Sequence, residues 1–309
     1  PEKAEALGIP QGPWRRNLLI NGSALICQRA SVTISSSFQI GAADRWLMFF
    51  NSASGSPTGT ATYSTGHGNL TSGRCLAATG IGCTGTNILY IGQRVESYLG
   101  AAVSKALTDG KKLSLRFMVY HNIGTTQDIT PSISTADATD NFSTSTIRWT
   151  GNSVSIPSGT WTEVLVEGFS PTNTNFGYGF LLYLGLATPA SMSGKNVYIG
   201  DVQLEIGSKC TPFEIRSITN ELTLCQRYYQ RFVSPAQYYV LAHGLTYFST
   251  TGWVHRELNP SMRVAPTLAT GGSFYCNYYG SFYSATSLSL AMSTANLAII
   301  TFTIGGMSF

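Results

Sequence analysis

Acid–base or nucleophilic chemistry in this chain would fall to four histidines, His67, His121, His243 and His255, and to fifteen acidic residues. None of the histidines has a carboxylate or a cysteine at a spacing used by a nucleophilic triad, and neither G-x-S-x-G nor H-E-x-x-H occurs. A dispersed carboxylate pair needs only proximity in space, so the sequence leaves such a pair open. The chain nevertheless reads as non-enzymatic. "GIGCTG", Gly80–Gly85, satisfies G-x-G-x-x-G on paper. A dinucleotide site needs a helix after the glycines, whereas "TNILYIGQRV" follows and reads as a strand. The glycines are therefore expected in a hairpin loop, and no cofactor is implied. "TADATDN" offers Asp137, Asp140 and Asn141 as hard oxygen ligands for calcium, against the commoner alternative of a solvated turn. No metal site is assigned.

Recognition chemistry is better represented. In "FYCNYYGSFY", Phe274–Tyr283, six of ten residues are aromatic. Period-two placement puts Phe274, Cys276 and Tyr278 on one face and Tyr275, Asn277 and Tyr279 on the other. A core absorbs one face only, so the other meets a partner chain, a ligand or water. Tyrosine suits a sugar because its ring stacks while its hydroxyl hydrogen-bonds. Tyr275, Asn277, Tyr278, Tyr279 and Tyr283 are accordingly the candidate ligand contacts, with burial between subunits as the competing reading.

The elements that must position these residues are mostly strands. Alternating or β-branched runs bounded by Gly, Asn, Ser or Pro recur along the chain, as in a β-sandwich or jelly roll. Expected strands include "NLLINGSALIC", "DRWLMFFNS", "GTATYST", "NILYIGQRVE", "KLSLRFMVYH", "TWTEVLVEGF", "KNVYIGDVQLEIG" and, later, "RVAPTLAT" and "NLAIITFTIG". In "KLSLRFMVYH", Leu113, Leu115, Phe117 and Val119 share one face, with Arg116 and Tyr120 on the other. One stretch alone reads as a helix, "ELTLCQRYYQRF", Glu221–Phe232, whose Leu222, Cys225, Tyr229 and Phe232 form a helical stripe, with Thr219 or Asn220 as the cap. So short a helix must pack against something to persist. The expected fold is all-β: a jelly-roll β-sandwich, a short bridging helix and a smaller distal β-sandwich domain. That last unit is small for an independent core and is expected to share burial with the first domain or with copies of itself.

Charged residues make up 11% of the chain, against roughly 25% in an ordinary soluble domain. The net charge of +4 is spread thinly, which argues against nucleic acid as a partner. The apolar run "FGYGFLLYLGLA" is glycine-broken and shorter than the ~20 residues of a membrane helix, so it reads as a buried strand. Six cysteines form no zinc spacing. They are small buried hydrophobes, unless Cys75 and Cys83 bridge across "CLAATGIGC" outside a cell.

Three stretches resemble a known family. "RRNLLINGSALICQRA…AADRW", Arg15–Trp46, is similar to the opening of a carbohydrate-binding-module-like jelly roll found in bacteriophage tail fibres and related virion appendages. "IGDVQLEIGSKCTPFEIRSITNELTLCQRYYQ", Ile199–Gln230, resembles the end of that domain, and "LNPSMRVAPTLA", Leu258–Ala269, a strand of the small domain that follows. This chain departs from the pattern at Cys27, where the family usually has an aromatic residue before "QR". The resemblance implies a segment 1–14 ending a virion-attachment or stalk region, a jelly roll over 15–217, a bridging helix over 218–234 and a distal β-domain over 235–309. It further implies a homotrimer on a virion that touches other virion proteins through its N-terminal segment and binds host surface polysaccharide, without membrane insertion. A structural virion protein is the alternative reading and a polysaccharide depolymerase the third.

Overall fold

In this computed structural model the described residues are 16–41, 43–52, 56–189, 191–233, 244–246, 251–271, 273–278 and 281–304. The expected segment 1–14 lies outside them. The chain divides into two units, Pro1–Glu221 and Leu222–Phe309.

The first unit is a β-sandwich, as expected. One sheet has six strands in the order β1 (Val32–Ile34), β4 (Thr58–Thr65), β5 (Arg74–Thr84), β13 (Ser191–Ile206), β7 (Leu113–His121) and β11 (Thr162–Phe169). The other has seven, in the order β10 (Val154–Ile156), β8 (Gln127–Ala138), β12 (Phe180–Thr188), β6 (Asn87–Val95), β3 (Trp46–Ser52) and β2 (Gln39–Ile40), with β9 (Asn141–Thr150) also paired to β8. Pairing is antiparallel throughout. Strand alternation builds the core: Leu113, Leu115, Phe117 and Val119 on one sheet are fully buried, as are Phe180, Leu182, Leu184 and Leu186 on the other. Within "FGYGFLLYLGLA" the part from Phe180 on is the buried strand the sequence suggested, while Phe176–Tyr178 form a 3-10 turn.

Several local expectations are corrected. "CLAATGIGC" is not a loop but part of β5. Cys75 and Cys83 are free, and eight residues apart on one extended strand they stand ~26 Å apart, far beyond disulfide reach. "RVAPTLAT" forms no strand. A second helix, α1 (Ser97–Thr108), is present, burying Gly100, Val103 and Ala106. Its own N-cap residue, Glu96, makes no side-chain cap bond. Asp140, held at a φ of 53° in the β8–β9 turn, accepts from the Ser97 N–H at 2.8 Å and from its hydroxyl at 3.0 Å. Asp137 accepts from Thr146 and Asn141 from the Ser143 N–H. The three oxygen donors of "TADATDN" are thus each taken by a protein donor, Asp140 by Ser97, Asn141 by Ser143 and Asp137 by Thr146.

"NLLINGSALIC" runs irregularly instead of as a strand. Asn21 and Ala24 have φ values of 59° and 51°, which interrupt extended chain. Its backbone groups pair with buried side chains. Asn17 donates to the Val202 carbonyl and accepts from the Leu19 and Leu204 N–H groups. Fully buried Asn21 donates to the carbonyls of Ile26 and Asp44, while Gln93 exchanges two 2.7 Å bonds with Ile20. The Trp46 indole donates to the Asn21 carbonyl at 2.8 Å. Arg216 closes the clasp, donating to the carbonyls of Asn17 and Leu19 and pairing with Glu214 and Glu221, and Glu221 accepts from the Asn21 N–H. The first two resembling stretches therefore meet, and their shared residues fasten the beginning of the sandwich to its end. A Cβ on Gly22 would lie 2.2 Å from the Val202 carbonyl oxygen. Gly22→Ala is expected to lower stability by at least ~2 kcal/mol, read as an earlier urea midpoint.

His121 is also fully buried; burial lowers its pKa, against the hydrogen bond that its Nε2 donates to the Ile156 carbonyl at 3.0 Å, which raises it. A histidine held below its ordinary value stabilises the fold fully above that value, ~6.5, and less as the pH falls through it. The melting temperature should drop between pH 7.5 and pH 5.5, and the drop should shrink in His121→Gln. Equal drops in parent and variant would assign the effect to other groups.

The helix α2 (Ile218–Gln226) starts earlier and ends sooner than the stripe suggested. Ser217, not Thr219 or Asn220, caps it, its hydroxyl accepting from the Asn220 N–H. Beyond it the chain is held by other bonds: the Arg227 carbonyl accepts from the Arg263 N–H, Gln230 donates to the Pro260 carbonyl, and Arg256 stacks on Phe232. In the second unit the described strands β14 (Gly244–Thr246), β15 (Thr251–Glu257), β18 (Leu297–Ile304), β17 (Ser281–Ser293) and β16 (Phe274–Tyr278) form one antiparallel sheet in that order. Its Ile299, Ile300 and Phe302 are only half-buried.

Candidate functional site

Antiparallel pairing places Tyr198 of β13 directly beside Tyr120 of β7. Their strand neighbours Val119, His121, Val197 and Ile199 point into the core, so both rings stand on the outer face. Trp161, just before β11, brings its ring centroid to 5.6 Å from Tyr120 and 6.5 Å from Tyr198. His67, from the turn after β4, lies 5.4 Å from Trp161 and 5.2 Å from Tyr198. The two tyrosines are 5.7 Å apart, and all four rings are half-buried.

The turn that carries His67 is itself anchored. Leu70 folds over Gly200, where a Cβ would come within 2.8 Å of the leucine methyl. The Asp201 carboxylate accepts from both the N–H and the hydroxyl of Thr71, at 2.8 and 2.6 Å, and His67 Nε2 meets the Ser64 hydroxyl at 2.9 Å. Polar groups border the rings. Asn122 accepts from the Asn196 N–H at 2.7 Å, the pair lying two residues along the chain from Tyr120 and Tyr198 respectively. Burial, then the neighbouring Cys75 and Tyr120, raise the Tyr198 hydroxyl pKa, against the Asn196 hydrogen bond. The phenol stays neutral and able to donate. The result is a half-buried cluster of four tilted rings beside hydrogen-bonding groups, the combination of apolar and polar surface that suits a sugar's C–H face and hydroxyl edge.

The acidic side chains that the fold gathers, Glu205, Glu214 and Glu221, each accept backbone N–H bonds inside the first unit. Among the described residues no group of three or more His, Cys, Asp and Glu is arranged to hold a metal ion.

The distal candidates are placed apart. Tyr275 is 57% exposed and Asn277 is exposed on the same face of β16. Tyr283 pairs across from Cys276, so it belongs to the opposite, half-buried face. Tyr278 ends β16 opposite Ser281, and Tyr279 lies outside the described residues. The ring quartet escaped sequence reading because its members are scattered over more than 130 positions. Its one visible signal was Tyr120 on the non-core side of "KLSLRFMVYH".

No protein-family model matches this chain, and no curated protein matches it. Among solved structures it is similar to one representing the promiscuous carbohydrate-binding modules of the β-sandwich superfamily, at 14% identity over 55% of this chain and 61% of that one, with a TM-score of 0.36. This chain thus spans less than two thirds of that structure. It is also similar to a family 11 carbohydrate-binding module from Clostridium thermocellum bound to a mixed-linked tetrasaccharide, at 13% identity over 54% and 91% of the two chains and a TM-score of 0.33. A third is an arabinose-bound α-L-arabinofuranosidase, at 11% identity over 64% and 27%, with a TM-score of 0.37. Likenesses this distant carry nothing about what this chain binds.

Proposed function

We propose that the chain is a non-catalytic carbohydrate-binding protein that holds sugar rings on the outer face of its six-stranded sheet, and that it serves in a bacteriophage appendage attaching to host surface glycans. The quartet of Tyr120, Trp161, Tyr198 and His67 carries the first half of this reading. The inner residues of β7 and β13 already fill the core, so packing does not require a second aromatic layer outside it. The appendage role and the homotrimer rest on the resembling motifs. The half-buried apolar residues of β18 support a trimer by offering surface for other copies to cover. Tyr275 with Asn277 is a second contact surface in this reading.

Affinity electrophoresis of the purified chain through gels carrying neutral polysaccharides, alongside polysaccharide extracted from host cells, tests the binding. Retardation by at least one neutral polymer, without release of reducing ends, is expected. Migration unchanged in every gel would leave the structural virion role in place of glycan attachment, and reducing ends would make the protein a depolymerase. Light scattering tests the trimer, which a stable monomer at micromolar concentration would exclude.

A further inference from the structure

The seven-stranded sheet carries its own aromatic row on its outer face. Phe49 stacks on Tyr90 at 5.1 Å and an interplanar angle of 17°, and Tyr183 meets both edge-on at 5.9 and 5.6 Å. Glycines make room for it: a Cβ on Gly92 would lie 2.6 Å from the Tyr183 ring, and one on Gly185 2.9 Å from the Tyr90 ring. Phe38, 51% exposed, extends the row at 4.4 Å from Phe49.

A cation sits at the end of this row. The Arg94 guanidinium lies 5.5 Å from the centre of the Phe38 ring and 5.4 Å from that of Phe142. Burial raises the Tyr183 hydroxyl pKa to about 12, and the nearby Arg94 charge works against that rise. Among the described residues no carboxylate pairs with Arg94, and its Nε is buried without a hydrogen-bond partner. Asp140, on the turn that carries Phe142, gives both oxygens to Ser97. A guanidinium held between two rings at these distances keeps its N–H donors for an acceptor, and a carboxylate matches their fork.

We propose that this second face binds a carboxylated sugar, with Arg94 pairing with the carboxylate, exposed Phe38 stacking on the ring and the Phe49–Tyr90–Tyr183 cluster supplying apolar surface beside it. It is a separate site from the quartet on the six-stranded sheet and differs from it in requiring a negative charge. The test uses the full chain with four probes: polygalacturonate, its methyl ester, polysialic acid and neutral galactan. Polygalacturonate or polysialic acid should bind with an affinity that falls as salt rises, the comparison of the two assigning uronate or sialate, and methyl-esterified polygalacturonate should bind at least tenfold more weakly than the acid. Arg94→Gln should lose at least tenfold on the acidic polymer, and Arg94→Lys should recover only part of that. Any binding of galactan should be unchanged in both. Should Arg94→Gln melt early, Phe38→Ala, which removes an exposed ring, should show the same selective loss. Equal affinity for acid and ester, unchanged binding in folded Arg94→Gln, or no binding of either acidic polymer by the parent would overturn the proposal. Retardation by neutral polymers, read in the same gels, would then still stand or fall by itself.

Discussion

Arg216→Ala is expected to destabilise the first unit by about 3–5 kcal/mol, the loss typical when one member of a buried ion pair is removed. The Arg216 side chain is 8% exposed and Glu221 6%, so the variant leaves a carboxylate buried without its counter-charge. It also strips the carbonyls of Asn17 and Leu19 of their donor. Domain stabilities total only ~5–15 kcal/mol, so the loss takes a large share of the whole. Arg216→Lys should recover less than half, because one ammonium cannot reach two carbonyls and two carboxylates in the planar arrangement a guanidinium allows. Urea unfolding followed by tryptophan fluorescence measures both variants, since Trp46 donates into the same clasp. A midpoint within experimental error of the parent in Arg216→Ala would mean that the two ends of the sandwich are held by packing and not by this network.

The clasp also explains which parts of the fold could be read in advance. Period-two alternation is local, and it places Leu113, Leu115, Phe117 and Val119 on a core face, while the short, glycine-broken apolar run "FGYGFLLYLGLA" marks the buried strand that begins at Phe180. Features whose causes lie far along the chain were not legible. "NLLINGSALIC" has the composition of a strand, yet its bonds go to Val202, Leu204 and Glu221, about 180–200 residues away. Helix α1 has no cap of its own because Asp140 supplies one from 43 residues on. "RVAPTLAT" satisfies strand propensity but has no described neighbour in the sheet. Propensity describes the residue, whereas pairing depends on what the rest of the chain brings beside it. The same separation hid the ring quartet. The contiguous aromatics at Phe274–Tyr283 drew notice instead, although the fold divides Tyr275 and Tyr283 between two faces.

Trp161→Ala combined with Tyr198→Ala should weaken glycan binding by the first unit by about 30–150-fold, corresponding to ~1–1.5 kcal/mol for each lost ring. The fold should tolerate the pair. Trp161 and Tyr198 are outside the contiguous core, and the inner neighbours Val197, Ile199 and Val164 stay in place. Tyr120→Phe serves as the graded control, since it keeps the stacking surface and removes one hydroxyl, so a loss of only a few-fold is expected. Tyr275→Ala separates the two units: if the distal face supplies the main contacts, this single change should exceed the double one. On a particle the difference should be amplified, because each appendage in the proposed trimer presents three copies and avidity rises steeply with the number of sites engaged. Adsorption to host cells should therefore fall further than the affinity of the isolated chain. A double variant that melts within two degrees of the parent and binds the same polysaccharide with the parent's affinity would remove the six-stranded sheet as the binding face. Loss of binding together with early melting would be ambiguous for that pair alone. His67→Ala then decides, because it removes a ring from the turn without altering any strand of the sheet, and retained affinity in it and in Tyr120→Ala would exclude the quartet.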